Sequence, residues 1–191
     1  ALAAGVRFAG ALTVTGIANG NEAAALTAYT SATTGAASVT LTASDTVWSV
    51  SAADLTTALA AGVRFAGTLT VTDIAAGDET AALTAFTATT TGATSVTLTA
   101  SDSTWSVAGS ALTTALADGV FLLGTLTVTD IASGNETAAL TAFTATLTGA
   151  TSVTLTAADG TWSVATADLA TALTAGVRFA GALTVTGIAN G

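Results

Sequence analysis

The chain has 191 residues, 51% of them hydrophobic and only 8% charged, with twelve acidic side chains against Arg7, Arg64 and Arg178 for a net charge of −9. Such a surface repels nucleic-acid phosphates and anionic lipid, so neither is an expected partner. No His, Cys or Lys is present, which removes disulfides, thiol chemistry and the usual catalytic bases and nucleophiles.

The sequence repeats every 57 residues. Gly5, Gly62, Gly119 and Gly176 mark the period, as do Trp48, Trp105 and Trp162. The last twenty residues return to the first twenty, differing only in Thr174 against Ala3, and Gly16 and Gly187 stand where the inner copies carry Asp73 and Asp130. This divides the chain into repeat 1 (1–57), repeat 2 (58–114), repeat 3 (115–171) and the start of a fourth (172–191). A chain that starts and stops inside such a pattern is expected to be a segment of a longer array, since repeat proteins grow by addition rather than around one central core.

One copy, taken in chain order, shows two alternating stretches. Val63-Arg-Phe65 is a candidate short strand. Thr68-Leu-Thr-Val-Thr72 alternates polar and apolar residues with a period of two, the pattern of a half-buried strand with Leu and Val inward and Thr outward. Asp78-Glu-Thr-Ala-Ala-Leu-Thr-Ala-Phe86 reads as a short helix: Leu83 and Phe86 have i,i+3 spacing, Asp78 suits an N-cap and Glu79 the positive end of the helix dipole. The threonines of Thr87-Ala-Thr-Thr-Thr91 oppose continuing that helix, because β-branched side chains lose freedom there. Val96-Thr-Leu-Thr99 is a second alternating strand and Trp105-Ser-Val107 another candidate short one. Leu112 and Leu116, spaced i,i+4, mark a second helix, with Gly119 suited to its stop. Asp45, Asp73, Asp102, Asp130 and Asp159 stand ten residues before Leu55, Leu83, Leu112, Leu140 and Leu169, dividing each copy into units of 28 and 29 residues.

These units predict an α/β repeat protein, a solenoid of strand–short-helix units paired into 57-residue repeats. The alternative is a parallel β-helix with the Ala-rich stretches extended. No unit can bury its apolar face alone; stacked neighbours give a continuous core. The Thr68-Leu-Thr-Val-Thr-Asp73 strand and the Trp105-Ser-Val107 segment leading into Ala111-Leu-Thr-Thr-Ala-Leu116 resemble the Ala/Thr-rich strand–helix repeats of very large bacterial surface and extracellular proteins. The resemblance spans essentially the whole chain. It implies an adhesive, sheath or fibre role outside the cell and carries over no catalytic residues.

Candidate sites are few. Acids that recur with the repeat are better explained by folding than by catalysis, and Asp73, Asp102 and Asp130 are expected to cap turns. The chain is therefore not expected to be an enzyme. No cofactor is expected beyond calcium, for which Asp73 with Asp78 and Glu79, and Asp130 with Asn135 and Glu136, are the candidate ligands. Trp48, Trp105 and Trp162 are expected to form a buried ladder or a subunit contact. Replacement of Arg64-Phe-Ala66 by Phe121-Leu-Leu123 in the third copy makes Phe121, Leu122 and Leu123 a candidate contact patch. Thr70 with Thr72, Thr97 with Thr99 and Thr127 with Thr129 resemble the Thr-x-Thr rows of ice-binding solenoids. The expected function is a structural chain at the cell surface or outside the cell, building a filament, sheath or array from copies of itself. An adhesin on another cell surface and an ice-binding rod are the alternatives.

Overall fold

The structure is a computed structural model and describes residues 5–188; the outermost residues of the first and fourth copies, among them Ala3, lie outside that range. Seven parallel strands alternate with helices in one curled sheet whose order follows the chain. The strands are β1 (Ala11–Ile17), β2 (Ser38–Ser51), β3 (Val63–Ile74), β4 (Ser95–Ala108), β5 (Val120–Ile131), β6 (Ser152–Ala165) and β7 (Val177–Thr186). An α/β class with Thr/Val/Leu strands and Ala/Leu helices is thus present, and the helical state of the Ala-rich stretches sets aside the β-helix.

Crossovers alternate between two kinds. From β1 to β2, β3 to β4 and β5 to β6 the chain passes through a seven-residue and then a four-residue helix: α1 (Glu22–Ala28) and α2 (Ser31–Thr34), α4 (Glu79–Ala85) and α5 (Ala88–Thr91), α7 (Glu136–Ala142) and α8 (Ala145–Thr148). The other crossovers use one nine-residue helix each: α3 (Ala52–Ala60), α6 (Gly109–Ala117) and α9 (Thr166–Thr174). The threonines that opposed a continuous helix in fact start a new one. Thr87 Oγ1 accepts from Thr90 N at 3.1 Å while Thr87 N donates to Thr90 Oγ1 at 2.9 Å, a reciprocal cap that satisfies two orphan helix-end groups. Thr91, fully buried, returns its hydroxyl to Thr87 O at 2.8 Å.

Asn21, Asp78 and Asn135 occupy the expected N-cap positions but make no side-chain cap bond. The following glutamates bond instead to the turn that precedes each helix. Glu22, Glu79 and Glu136 accept from Gly20 N, Gly77 N and Gly134 N at 2.6, 2.7 and 2.6 Å, tying the turn to the first helical residue.

Burial alternates along each strand. On β3, Val63, Phe65, Leu69 and Val71 are buried beneath the helices, whereas Arg64, Ala66, Thr68, Thr70 and Thr72 point the other way and stay exposed or half-buried. The short stretches Val63–Phe65 and Trp105–Val107 are not extra strands; they are the first half of β3 and the second half of β4.

Each pair of halves is separated by a register break. β2 pairs with β3 from Val39 opposite Val63 to Thr42 opposite Ala66, and again from Val47 opposite Thr68 to Ser51 opposite Thr72. Residues 43–46 therefore bulge out against the single residue Gly67. The same excursion recurs where β4 meets β5 at Gly124 and where β6 meets β7 at Gly181. A Cβ on Gly67, Gly124 or Gly181 would collide with the backbone carbonyl of Thr46, Ser103 or Gly160. Within the excursion, Thr46 and Ser103 adopt φ of 63° and 61°, where the third copy has Gly160 at 73°. A smaller bulge ends β1, β3 and β5, placing Gly16, Asp73 and Asp130 at φ 73°, 60° and 57°; Gly187, just beyond β7, has φ 71°. That corrects the sequence reading: Asp73 and Asp130 are not turn caps but residues in a left-handed conformation, and the Gly/Asp alternation reflects the two residue classes that tolerate it.

Two stability predictions follow from these positions. Thr46→Gly, which copies Gly160, relieves a β-branched residue of left-handed strain and should raise the unfolding free energy by roughly 1 kcal/mol. Gly124→Ala meets the Ser103 carbonyl and should lower it by at least about 2 kcal/mol. Urea melts followed by Trp fluorescence measure both; equal midpoints for Thr46→Gly and the parent would refute the strain.

Candidate interaction surface

The helices cover one face of the sheet and leave the other open. Pairing aligns its outward side chains into short rows: Ser49, Thr70, Thr97 and Phe121 in one, and Ser106, Thr127, Thr154 and Arg178 in the next. The surface is thus a field of hydroxyls and methyls interrupted once per row. Thr70 and Thr127 stand in these rows; Thr99 instead faces Leu123, and Thr72 and Thr129 lie beside the terminal bulges.

The third-copy substitution divides between the two faces. Phe121 and Leu123 point to the open face and are 36% and 49% exposed, while Leu122 is fully buried. Leu122 is therefore a core residue rather than part of a contact patch. It stands where Phe65 and Phe179 pack edge-on against Trp48 and Trp162, at centroid distances of 5.2 and 5.1 Å. The tryptophans are core residues as well: Trp48, Trp105 and Trp162 are 0, 2 and 1% exposed. Trp105 Nε1 donates to Leu123 O at 3.0 Å and Trp162 Nε1 to Ala180 O at 3.1 Å, whereas the buried indole N–H of Trp48 has no acceptor. Their contact-surface assignment is overturned by inward strand parity. Of the six assembly candidates, Phe121 and Leu123 remain.

The carboxylates are held by local hydrogen bonds. Asp73 Oδ2 accepts from Thr72 Oγ1 at 2.8 Å and Asp130 Oδ2 from Thr129 Oγ1 at 3.1 Å. Glu79 and Glu136 are held on glycine N–H groups, as described above. Asp78 lies with Asp73 on the wall of a groove of about 370 Å³ at the C-terminal end of β3, otherwise lined mainly by alanines such as Ala52 and Ala82. Equivalent grooves of about 370 and 410 Å³ lie at the ends of β1 and β5. Among the described residues no three His, Cys, Asp or Glu side chains form a group that could hold a metal ion; of the calcium candidates, Asp73 and Asp78 share the groove wall, while Glu79 and Glu136 are held on glycine N–H groups.

Asp45, Asp102 and Asp159 do make turns, as expected for Asp102. In the excursions their Oδ1 atoms accept from Val47 N, Thr104 N and Thr161 N at 3.0, 2.9 and 2.9 Å. These backbone donors hold all three carboxyls below the ordinary aspartate value, with side-chain help from Asn19, Thr104 and Thr161 respectively.

The sequence reading did not single out the two sheet edges. Residues 6–9, the counterpart of the first half of β3, form no strand, and Val6 and Phe8 are exposed where Val63 and Phe65 are buried. At the opposite edge Leu183 is 40% exposed, whereas its counterparts Leu69 and Leu126 are buried. Gly5–Ile17 and Gly176–Ile188 are identical in sequence.

No family model, curated protein or solved structure matches this chain. No helix among the described residues is long and apolar enough to cross a membrane.

The three excursion aspartates generate a pH prediction. Their folded pKa values are depressed, so their contribution to stability is fully present above the unfolded value of about 3.9 and is lost as pH falls through the lower folded values. Replacing all three with Asn, which keeps an acceptor oxygen without the titration, should flatten the acid limb of the stability–pH profile. An unchanged limb in chemical denaturation from pH 6 to pH 2.5 would remove these residues from the account.

Proposed function

We propose that this chain is a structural, non-catalytic segment of an α/β solenoid, built from strand–helix units paired into 57-residue repeats. It acts at the cell surface or outside the cell by packing against copies of itself into a fibre, sheath or array. The observation that carries the reading is a repeating, hydroxyl-rich open face of low charge. A repeated contact on such a face that does not close yields a filament. Phe121 and Leu123 add one apolar island per 171 residues, suited to fixing lateral register between neighbours.

The geometry favours neither alternative. An ice-binding surface needs long flat hydroxyl rows, whereas these run obliquely over a curled sheet and stop at Phe121 or Arg178. An adhesin would carry its specificity in variable loops, but the turns Ala18–Asn21, Ala75–Asp78 and Ala132–Asn135 have equal length and share their Ala and Gly positions.

Cryo-electron microscopy of the purified chain tests this reading. Filaments or sheets with an axial repeat commensurate with the 57- or 171-residue unit are the expected outcome; dispersed particles at all concentrations would defeat it. Phe121→Arg combined with Leu123→Ala, which restores the side chains of the sister copies, should leave the fold intact and loosen lateral association.

A further inference from the structure

Charge is divided between two opposite sides of the molecule. All seven strands run the same way, so the sheet has one rim where strands begin and another where they end. The three arginines stand at the starting rim. Arg64 and Arg178 are the second residues of β3 and β7, and Arg7 holds the matching place in the first copy. Each donates from Nη1 to the carbonyl of the residue before it, at 3.1, 2.8 and 2.9 Å for Arg7, Arg64 and Arg178. Arg64 also reaches Leu59 O, in the last turn of α3, at 3.4 Å. A guanidinium carries five donors, and among the described residues none of the three is paired with a carboxylate.

Carboxylates gather at the finishing rim. Each glutamate opens a helix that follows an odd strand, and Asp54 and Asp168 lie in the first turns of α3 and α9. Asp73, Asp78 and Asp130 line the grooves at the strand ends. Helix dipoles favour acids at one end of a helix and bases at the other, which accounts for the sidedness. They do not account for how the charges differ from copy to copy. The groove of the first copy has Gly16 and Asn21 and no carboxylate, that of the second has Asp73 and Asp78, and that of the third has Asp130 and Asn135. On the starting rim the first and second copies present Arg7 and Arg64. The third presents Phe121 and adds Asp118, the C-cap of α6, where Ala61 and Ala175 stand in the sister copies.

The two series fit together in one register only. Set rim against rim with no offset, Arg7 meets the uncharged groove and Asp118 meets Asp130. With an offset of two copies, Arg64 meets the uncharged groove and Asp118 meets Asp73 and Asp78. With an offset of one copy, Arg7 meets Asp73 and Asp78, Arg64 meets Asp130, and Phe121 with Asp118 meets a groove of the first type, which has no carboxylate to repel it and carries Tyr29 on its wall.

We infer that copies of this chain stack in parallel, starting rim on finishing rim and offset by one repeat, with Arg64 of one molecule seated in the Asp130 groove of the next. The inference rests on the self-packing reading and names its contact. A groove of about 410 Å³ walled by alanines such as Ala138 and Ala142 suits the methylene stem of an arginine, and the carboxylate suits its fork of donors. Exposed ion pairs add little affinity singly. Their effect here is on register, because each wrong offset sets like charges against each other and leaves an arginine without a carboxylate. One molecule supplies both rims, so the contact is heterologous and propagates.

Arg64→Lys makes the contact readable, because the chain has no lysine of its own. The positive charge is kept, and a carbodiimide joins this amine to a carboxylate in direct contact with it, forming an amide while the reagent takes up the water as its urea. An equal mixture of isotopically light and heavy chains separates links between molecules from links within one. Mass spectrometry should place the intermolecular amide on Asp130. An intermolecular amide on Asp73, Asp78 or any other carboxylate would overturn the register. Arg64→Glu should weaken association by on the order of tenfold or more in sedimentation, with far-UV circular dichroism unchanged, and adding Asp130→Asn with Asn135→Arg should restore it. Restoration by Asp78→Arg instead would also overturn the register. Filaments or sheets that form without any intermolecular amide would overturn this contact and leave the self-packing reading standing. Absence of assembly would remove both.

Discussion

Everything in this fold depends on a mismatch between neighbouring strands. Each even strand inserts an excursion, such as residues 43–46, opposite one glycine of the following odd strand. Without it the two halves of β2 could not both find partners on β3, and Trp48 would not be opposite Leu69. The mismatch is tolerated because Gly67, Gly124 and Gly181 let a carbonyl pass where any side chain would obstruct it, and because an Asx turn gathers the loose end of each excursion. Its consequence is geometric. The second half of every odd strand becomes the platform for the first half of the next even strand, so the sheet advances along the strand direction as it grows rather than stacking in register.

That advance explains how so few charges suffice. Inward positions hold Val, Leu, Phe and Trp in a single cluster running through the described chain, and full burial of each large side chain contributes about 1.5–3 kcal/mol. The surface then needs little more than hydroxyls and alanine. Threonine serves three structural purposes here, as an outward strand residue, as a reciprocal helix cap and as a buried hydroxyl bonded to its own turn. Its abundance follows from those uses and needs no ligand.

Much of this was legible in the sequence. Period-two alternation located the strand interiors and their inward faces, and the i,i+3 and i,i+4 leucines located the helices. Gly62, Gly119 and Gly176 stop α3, α6 and α9 with φ between 74° and 81°. What escaped was long-range. Local pattern cannot tell that Val63–Phe65 and Thr68–Thr72 are one strand, because the excursion that separates their pairing lies on a different strand. The role of Asp73 was hidden for a related reason: a left-handed bulge and a capped turn favour the same residues, and only the glycine at Gly16 and Gly187 pointed to backbone conformation. For the candidate surface, the third-copy substitution was visible, but which of its residues faced outward required strand parity, which assigns Phe121 and Leu123 to one face and Leu122 to the other.

The ends of the described chain offer an internal control on what makes these strands form. Val6-Arg-Phe-Ala-Gly10 and Val177-Arg-Phe-Ala-Gly181 are the same sequence, yet the second is strand throughout and the first is not. Propensity, alternation and turn chemistry are equal in the two; only the preceding strand differs, present as β6 in one case and absent in the other. Strand structure here is conferred by the neighbour, as expected where sheet stability resides in cross-strand pairs and burial rather than in backbone preference.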